Sequence, residues 1–236
     1  YQELVLCGIR LGRYLDDSGP SRVDFVALLE RLLAIPGDFR IRLSSFEITD
    51  VTERFLDAAE AAGPRLCQSY HLPLQSGSES VLRRMNRWYT ASFYRRRVEA
   101  LRSRFPEAGL FTDLMTGFPG ETAEEHQESL RFVTELGFSG LHVFRFSARA
   151  GTPAARRPDR LPEPVVLARA EEFRALDARL RAAFARSHEG ARRLVLVEPR
   201  GSGAEGLTEH LLRVRFPSNP GPGLLPIVVG RDAVPA

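Results

Sequence analysis

The chain has 236 residues, of which 43% are hydrophobic and 27% charged, the composition of an ordinary folded protein. No apolar run is long enough to span a bilayer and no charged-then-apolar secretory leader is present, so we expect a cytoplasmic protein. The net charge is +3, and all 33 basic residues are arginine, a bias that weakens arginine clusters as indicators of nucleic-acid binding. Cys7 and Cys67 have no nearby Cys or His companion, which favours buried free thiols over a disulfide or a metal site.

The first part of the chain alternates short apolar strands with helical stretches. We predict five strands, over residues 3–7, 40–45, 70–74, 110–116 and 140–146. Capping pairs predict three of the helix starts: Asp50 with Glu53, Ser76 with Glu79, and Thr122 with Glu125. This alternation indicates βαβ units and therefore an α/β fold with a parallel sheet. Because five strands leave an exposed edge, we expect a further strand to precede the chain.

The C-terminal part has a different period. A predicted helix over 165–188 ends at Gly190, and short strands follow at 194–197, 211–216 and 225–229, separated by Gly, Ser and Pro. We therefore predict two units, an α/β unit over 1–189 and a small all-β unit over 190–236. The second unit is too short to be an enzyme by itself.

Two strand ends, His71–Ser78 and Thr112–Thr122, are the main candidates for ligand binding. Each is an apolar strand that ends in a polar turn with glycine and then enters a helix. In a parallel α/β barrel a ligand lies at such strand ends, and the glycines let backbone N–H groups approach it. The sequence therefore predicts one pocket built from neighbouring strands.

The side chains in these turns each have a structural interpretation as well. His71 is either a base, a ligand or a buried core residue. Gln75 and Ser76 suit ribose hydroxyls or an amino-acid group, although Ser76 also fits as a helix cap. Asp113 and Glu121 either hold a cationic or hydroxylated ligand or orient the turn.

Arginines are candidates for binding anions. Arg149 follows the last predicted strand and so lies at the same rim as the two turns. Three further groups can contact a polynucleotide backbone: 83, 84 and 87; 95–97; and 156–157. A solvated helix face explains the middle group better.

Five motifs occur in order along nearly the whole chain: 71–78, 85–87 with 89–90, 112–122, 141–144 and 147–154. Together they resemble the radical S-adenosylmethionine methylthiotransferases. The Arg-Leu-Ser-Ser of 42–45 and the Leu-His-Val-Phe of 141–144 resemble the branch acting on threonylcarbamoyladenosine in tRNA. Gly206, Thr208, Leu212 and Val214 are similar to the small RNA-binding TRAM barrel of that family.

The resemblance implies a partial radical-SAM (β/α) barrel lacking its first strand, followed by an OB-like TRAM barrel. It implies S-adenosylmethionine and [4Fe–4S] clusters as cofactors and tRNA, at an anticodon-loop adenosine, as the partner. The implied S-adenosylmethionine site consists of Gly8, Gln75, Ser76, Gly77, Asp113, Met115, Gly117, Glu121, Val143 and Arg149. Of these, Met115 and Val143 would pack against the adenine, and Gly8 would approach the methionine end. The implied RNA-binding residues are His210, Arg213 and Arg215.

The chain departs from the family pattern in several places. The CxxxCxxC motif that holds the radical cluster is absent from the 236 residues, and Cys7 and Cys67 cannot replace its three thiolates. We therefore assign no catalytic residue or metal ligand here, place the cluster cysteines upstream, and expect this chain alone to be inactive. Smaller departures are Ile48 for proline, Trp88 for a basic residue, 145–146 for Pro-Tyr, and 210–211 for Asn-Tyr.

Two other functions stay open at this point. The sister branch of the family methylthiolates an aspartate of a ribosomal protein and shares the same turns. A cluster-less RNA-binding protein is the alternative from a different class, and it predicts salt-dependent RNA binding.

Overall fold

The computed structural model describes residues 1–19, 21–200, 203–216, 218–230 and 233–235. In chain order its strands are β1 (Glu3–Leu6), β2 (Leu15–Asp16), β3 (Val23–Asp24), β4 (Arg40–Leu43), β5 (Ser69–His71), β6 (Gly109–Thr116), β7 (Gly140–Arg145), β8 (Arg192–Arg200), β9 (Gly203–Thr208), β10 (Leu212–Phe216), β11 (Gly223–Val228) and β12 (Val234–Pro235). Its helices are α1 (Phe25–Ala34), α2 (Glu53–Ala62), α3 (Glu79–Arg84), α4 (Ala91–Arg104), α5 (Ala123–Leu136) and α6 (Glu163–Ser187). None of these helices is long and apolar enough to cross a membrane.

Parallel strands form the sheet of the N-terminal unit, as the sequence predicts. β1 pairs with β4, and β5, β6 and β7 pair in that order, all in parallel. Single bridges from Ile41 to Leu66 and from Ser45 to His71 join the two groups. The resulting order β1–β4–β5–β6–β7 is that of consecutive βαβ units. The short antiparallel hairpin of β2 and β3 was not predicted.

Two helix starts show how far the capping predictions hold. Thr122 and Glu125 form a complete capping box at the start of α5, which confirms that prediction. Helix α2 begins two positions later than its predicted cap implies, because the hydroxyl of Thr52 accepts the N–H of Phe55. Asp50 ends a 3-10 turn before the helix, so its prediction as the cap was wrong.

The main core lies between the parallel sheet and the helices on its outer side. A run of aromatic contacts from Phe25 through Phe46 and Phe55 to Tyr70 has ring centroids 4.6 to 6.1 Å apart. Leu114 of β6 belongs to the same buried cluster. Because side chains alternate along a strand, the residues on either side of Leu114 face the inside of the open barrel. We call this inner side the lumen.

Strands β8 to β12 form one antiparallel sheet in the order β11–β8–β9–β10–β12. β9 was not predicted, since it contains Gly206, a poor strand former. A Cβ at Gly206 would lie 2.3 Å from Cγ1 of Val195, so glycine allows these two strands to pair closely. The predicted boundary between the two units falls in the turn between α6 and β8. Residues 201, 202, 217, 231, 232 and 236 of the predicted all-β unit lie outside the described residues.

Buried arginines join the all-β unit to the N-terminal ends of the parallel strands. Arg40 is 1% exposed and donates to the backbone carbonyls of Leu194 and Leu207, at 2.6 and 2.9 Å. Arg42 makes a further bond to the same unit, and Glu3 of β1 accepts from both guanidinium groups. The C-terminal ends of the parallel strands, where the candidate site lies, are therefore at the opposite end from the all-β unit.

Candidate functional site

Three polar side chains from neighbouring strands meet in the lumen. Asp113 of β6 is in register with His142 of β7, and His71 of β5 is in register with Phe111, two residues before Asp113. Residues two apart on a strand share a face, so all three side chains point the same way. His71 Nε2 lies 2.8 Å and His142 Nδ1 lies 3.3 Å from the same oxygen, Asp113 Oδ1.

Ser45 completes what we call the lumen cluster (Ser45, His71, Asp113 and His142). Its hydroxyl oxygen lies 2.8 Å from His71 Nδ1. A neutral His71 satisfies both contacts when its Nε2–H donates to Asp113 and its Nδ1 accepts from Ser45. His71, Asp113 and His142 each offer one possible metal-ligand atom, and these three atoms lie within 4.8 Å of one another. Two imidazoles and a carboxylate also suit a divalent transition metal.

The carboxyl group of Asp113 is the fixed charge of this cluster. Burial disfavours its ionised form, but hydrogen bonds from His142 and His71 and their positive charge outweigh that effect. The pKa of Asp113 is therefore held well below its ordinary value. At neutral pH the lumen carries a carboxylate flanked by two imidazoles, of which His142 is about half exposed.

A cavity of about 500 Å³ opens at the same end of the strands. Two predicted residues line it, Met115 and Arg149, together with the aromatic rings of Phe118, Phe146 and Trp88. Met115 follows Asp113 by two residues and so lies on the lumen face of β6. Aromatic and thioether walls with two guanidinium groups, of Arg87 and Arg149, suit a ligand that combines an apolar ring with a carboxylate.

Gln75 occupies an unusual backbone conformation beside the lumen cluster, with φ at +73°. Its N–H donates to the carbonyl of Asp113 at 2.7 Å, and its carbonyl accepts from Met115 at 2.9 Å. These two bonds to β6 fix a conformation that L residues rarely adopt and that occurs preferentially at functional sites.

The turn after β5 serves packing rather than ligand approach. The N–H of Gly77 donates to Ser129 Oγ at 3.0 Å, and a Cβ at Gly77 would lie 2.7 Å from Cβ of Phe132. Ser76 is 2% exposed and its hydroxyl contacts the same Ser129 at 3.0 Å. Helix α3 starts after Ser78, so Ser76 is not its cap. The Ser76 hydroxyl and the Gly77 N–H are thus bound to α5, and the contact of these two residues with a cofactor stays a prediction.

The turn after β6 is closed in the same way. The N–H of Gly117 donates to Glu121 Oε2 at 3.1 Å, and a Cβ at Gly117 would lie 2.5 Å from Cγ2 of Val166 on α6. Glu121 is 4% exposed and forms an ion pair with Arg169 at 2.7 Å. Gly117 and Glu121 consequently hold α6 against the turn, and their contact with a cofactor stays a prediction.

Two further predicted cofactor residues lie away from the cavity. Val143 packs against the hydrophobic core, on the side of β7 opposite His142, so its side chain does not face the lumen. Gly8 is exposed in the loop after β1, and the atoms nearest to an added Cβ belong to Leu11, from 3.6 Å. The role of Gly8 stays a prediction.

The three predicted RNA-binding residues separate into two groups. Arg213 and Arg215 of β10 both pair with Glu205 of β9, at 3.0 and 3.2 Å, and Arg215 is largely exposed. His210 is 3% exposed, and its ring packs against His188 in a tilted arrangement with centroids 4.9 Å apart. The predicted RNA contact of His210 does not fit this position, because the side chain is enclosed between the two units.

Sequence reasoning missed Ser45 and His142 as site residues, although both lie in motifs that it singled out. The available signal was strand alternation: His142 falls on the same face as Asp113 once β6 and β7 are in register. Phe118 and Phe146, whose rings are 5.6 Å apart in the cavity wall, gave no comparable signal.

Consecutive βαβ strands with polar groups in the lumen and a pocket at their C-terminal rim define an open parallel α/β barrel of the kind that holds cofactors at that rim. The chain belongs to the radical SAM superfamily, whose family model matches residues 13–133. Coproporphyrinogen III oxidase (HemN) of Escherichia coli has a similar fold, with a TM-score of 0.53 over 86% of this chain and 56% of that one, at 17% identity.

Curated relatives are tRNA-modifying enzymes. The chain is 43% identical over 163 residues to the threonylcarbamoyladenosine tRNA methylthiotransferase MtaB of Thermotoga maritima. This match covers 69% of this chain and 37% of that protein. It is 35% identical to MtaB of Bacillus subtilis over 92% of this chain and 49% of that protein. It is 38% identical to the tRNA-2-methylthio-N(6)-dimethylallyladenosine synthase of Bordetella pertussis over 93% of this chain and 50% of that protein. The chain thus spans half or less of the length of these relatives.

Membership of the superfamily implies two cofactors, S-adenosylmethionine and an iron–sulfur cluster. The residues present fit the first and not the second. The cavity between Met115 and Arg149 suits the adenine ring and the carboxylate of S-adenosylmethionine. A cluster held by three thiolates does not fit, because the sequence has only two cysteines. Cys67 is buried, and burial raises the pKa of its thiol to about 12, which disfavours the thiolate form.

Proposed function

We propose that the intact protein is a cytoplasmic tRNA methylthiotransferase that converts threonylcarbamoyladenosine in the anticodon loop to its 2-methylthio derivative. The relatives from Thermotoga maritima and Bacillus subtilis are named for threonylcarbamoyladenosine. The observation that carries this choice of nucleoside is the polar character of the lumen cluster.

Threonylcarbamoyl and dimethylallyl groups make opposite demands on a binding site. The first carries a carboxylate, a hydroxyl and urea-type N–H groups, whereas the second is a hydrocarbon. The lumen offers two imidazoles, a carboxylate and a hydroxyl, and His142 keeps about half of its side chain exposed there. When neutral, Nε2 of His142 accepts from a hydroxyl or N–H of the nucleoside, and when protonated it donates to a carboxylate. Burying a hydrocarbon against this cluster would take Nε2 of His142 out of water without a hydrogen-bond partner, which costs free energy.

S-adenosylmethionine together with a reduced [4Fe–4S] cluster supplies the radical and methyl chemistry of the reaction when bound. In this proposal Met115 and Phe146 pack against its adenine, and Arg149 holds its carboxylate. The thiolates of the clusters come from outside these 236 residues. The carboxylate of Asp113 is kept ionised by its two histidines. In this proposal it accepts hydrogen bonds from hydroxyl groups of the bound ligand at the rim.

A second nucleoside has a specific observation in its favour. The Bordetella pertussis relative covers 93% of this chain at 38% identity and is named for dimethylallyladenosine. Identity alone therefore leaves both nucleosides open, and the polar chemistry of the lumen supports the threonylcarbamoyl form.

Deletion of the gene in its source organism tests the proposal. Total tRNA is digested to nucleosides, and both 2-methylthio nucleosides are measured by mass spectrometry. We expect loss of the threonylcarbamoyl form with accumulation of its unmethylthiolated precursor. The full-length gene restores the product, His142→Ala restores less than about a tenth of it because a recognition contact is lost, and the exposed control Arg174→Ala restores it fully.

Other outcomes identify the alternatives. Loss of the dimethylallyl form instead supports the second nucleoside. Unchanged tRNA with loss of a methylthio group from a ribosomal protein supports the sister branch. If tRNA and ribosomal proteins are both unchanged, the chain is not a methylthiotransferase, and the cluster-less RNA-binding function takes its place.

A further inference from the structure

Trp88 is the only tryptophan of the chain, and its side chain is 78% exposed. The segment that carries it is fixed. Asn86 adopts a left-handed conformation with φ at +56°, and the buried Tyr89 donates from its hydroxyl to the carbonyl of Leu74 at 3.0 Å. The indole is therefore held outward by an ordered segment, although large exposed aromatic surface is unfavourable in water.

The indole stands between two cavities at the C-terminal end of the barrel. On one side is the cavity of about 500 Å³ that contains Met115 and Arg149. On the other side is a groove of about 400 Å³, which we call the arginine groove, lined by Glu79, Arg83, Arg87, Trp88, Tyr89, Thr90, Phe93 and Arg96. Trp88 and the adjacent Arg87 line both cavities, so a ligand that occupies both lies beside the indole.

The charge around Trp88 is positive. The guanidinium carbon of Arg10 lies 5.4 Å from the centre of the indole ring. Among the described residues Arg83, Arg87 and Arg96 form no ion pair, and the one acid of the groove, Glu79, already accepts the N–H of Ala91 at 2.7 Å.

Other arginines of α4 behave differently. Arg95 pairs with Glu135, and Arg104 pairs with Asp57 and Glu60. The arginine groove, which is formed by α3, the segment after it and the start of α4, thus carries an excess of positive charge beside an exposed ring. That combination favours a polyanion with planar bases over an apolar peptide or a neutral surface, because phosphates pair with guanidinium groups and bases stack on indole.

We propose that Trp88 is a stacking platform for an unpaired base of the RNA substrate, and that the arginine groove carries the adjoining phosphates. This inference rests on the proposed function and deepens it, because it names the contact that places the anticodon loop beside the cofactor cavity. Single-stranded bases are recognised by aromatic faces together with basic grooves.

Because the chain has one tryptophan, emission excited at wavelengths that its five tyrosines do not absorb reports on this ring alone. The 236-residue chain is titrated with an unlabelled anticodon stem–loop RNA, and binding is measured in parallel by the anisotropy of a dye-labelled copy. We expect emission to be quenched with the same midpoint as the anisotropy change, and acrylamide to quench the bound form less. The same stem closed by an abasic loop keeps its phosphates but offers no base, so it should bind more weakly and leave the emission unchanged.

Variants separate stacking from charge. Trp88→Ala should weaken binding about tenfold, and Trp88→Phe, which keeps an aromatic face, should retain most of it. Ile35→Ala, which removes an exposed apolar side chain elsewhere, is the matched control and should bind normally. The double variant Arg83→Ala with Arg96→Ala should flatten the salt dependence of binding, whereas Arg174→Ala on α6 should not.

The outcomes distinguish this inference from the proposed function. Binding by anisotropy with unchanged emission, or with full affinity in Trp88→Ala, overturns the stacking platform and leaves tRNA as the substrate. No binding of either RNA overturns the platform and also counts against an RNA substrate for this chain.

Discussion

Asp113 organises the candidate site at the scale of single residues. One of its oxygens receives both His71 and His142, and His71 is oriented in turn by Ser45. A carboxylate that accepts two imidazole hydrogen bonds is favoured in its charged form even where it is partly buried. The charge of the lumen therefore depends on the two histidines as much as on the acid.

We expect His71→Gln to raise the pKa of Asp113 towards its ordinary value of 3.8. The wild-type contribution of Asp113 to stability is present above that value and is lost as pH falls through the lowered pKa, so the variant loses it at higher pH. A titration of carboxyl carbon chemical shifts by NMR measures the change. Asp50, whose pKa is raised by burial far from the cluster, is the internal control and should not move.

An unchanged Asp113 titration in His71→Gln would mean that burial and other charges set its ionisation.

The sequence identified His71 and Asp113 as candidates but gave each a structural alternative. What it could not supply was the register across β5, β6 and β7, which brings His142 to the same oxygen. Convergence of side chains from separate strands is a property of pairing, not of local pattern.

At the scale of elements, the turns after β5 and β6 are anchored to the helices that follow. Both were predicted from their glycines as sites where a backbone N–H meets a ligand. The glycines are required, but for contact with protein: Gly77 meets α5, and Gly117, with φ at +75°, meets α6. Local sequence shows that a close approach is needed and not which group approaches.

Gly77→Ala tests this interpretation. Its Cβ would lie 2.7 Å from Cβ of Phe132 and 2.8 Å from Cα of Ser129, so the turn or α5 has to shift. We expect the free energy of unfolding, measured by urea denaturation, to fall by about 1–3 kcal/mol. Gly230→Ala, where no atom lies within 4 Å of the added Cβ, should stay within about 0.5 kcal/mol of wild type.

If Gly77→Ala kept full stability but lost affinity for S-adenosylmethionine, the result would support the ligand interpretation of this turn.

Strand positions and the capping box of α5 were predicted well because they depend on short-range periodicity and hydrogen bonds. The cap of α2 was displaced to Thr52 because two polar residues competed for one position.

At the scale of the whole molecule, the all-β unit is bonded to the barrel rather than tethered to it. The bonds from Arg40 to Leu194 and Leu207 bring together residues more than 150 positions apart in sequence. In a chain with 33 arginines and no lysine, nothing local distinguishes these buried arginines from solvated ones. The two units were therefore predictable separately, and their contact was not.

The contact between the units also holds a buried pair of histidines, and it should respond to acid. Burial, followed by the positive charge of His210 and of Arg193, lowers the pKa of His188 from 6.5 to about 4. Arg193 donates to His188 Nδ1 at 3.1 Å, which requires that nitrogen to be unprotonated, and the nearby acids are Glu107 and Glu209.

The sign follows from the protons bound by each state. Between pH 6.5 and about 4 the unfolded chain protonates His188 and the folded chain does not, so folding weakens as pH falls, by at most about 1.4 kcal/mol per pH unit. Above pH 6.5 His188 is neutral in both the folded and the unfolded chain, so its titration no longer lowers the stability. Urea denaturation of wild type and His188→Gln across this range measures it, and we expect the variant to lose stability less steeply. Ile35→Ala, which removes an exposed side chain that does not titrate, should keep the wild-type slope. Equal slopes in wild type and His188→Gln would show that His188 titrates normally in the folded chain.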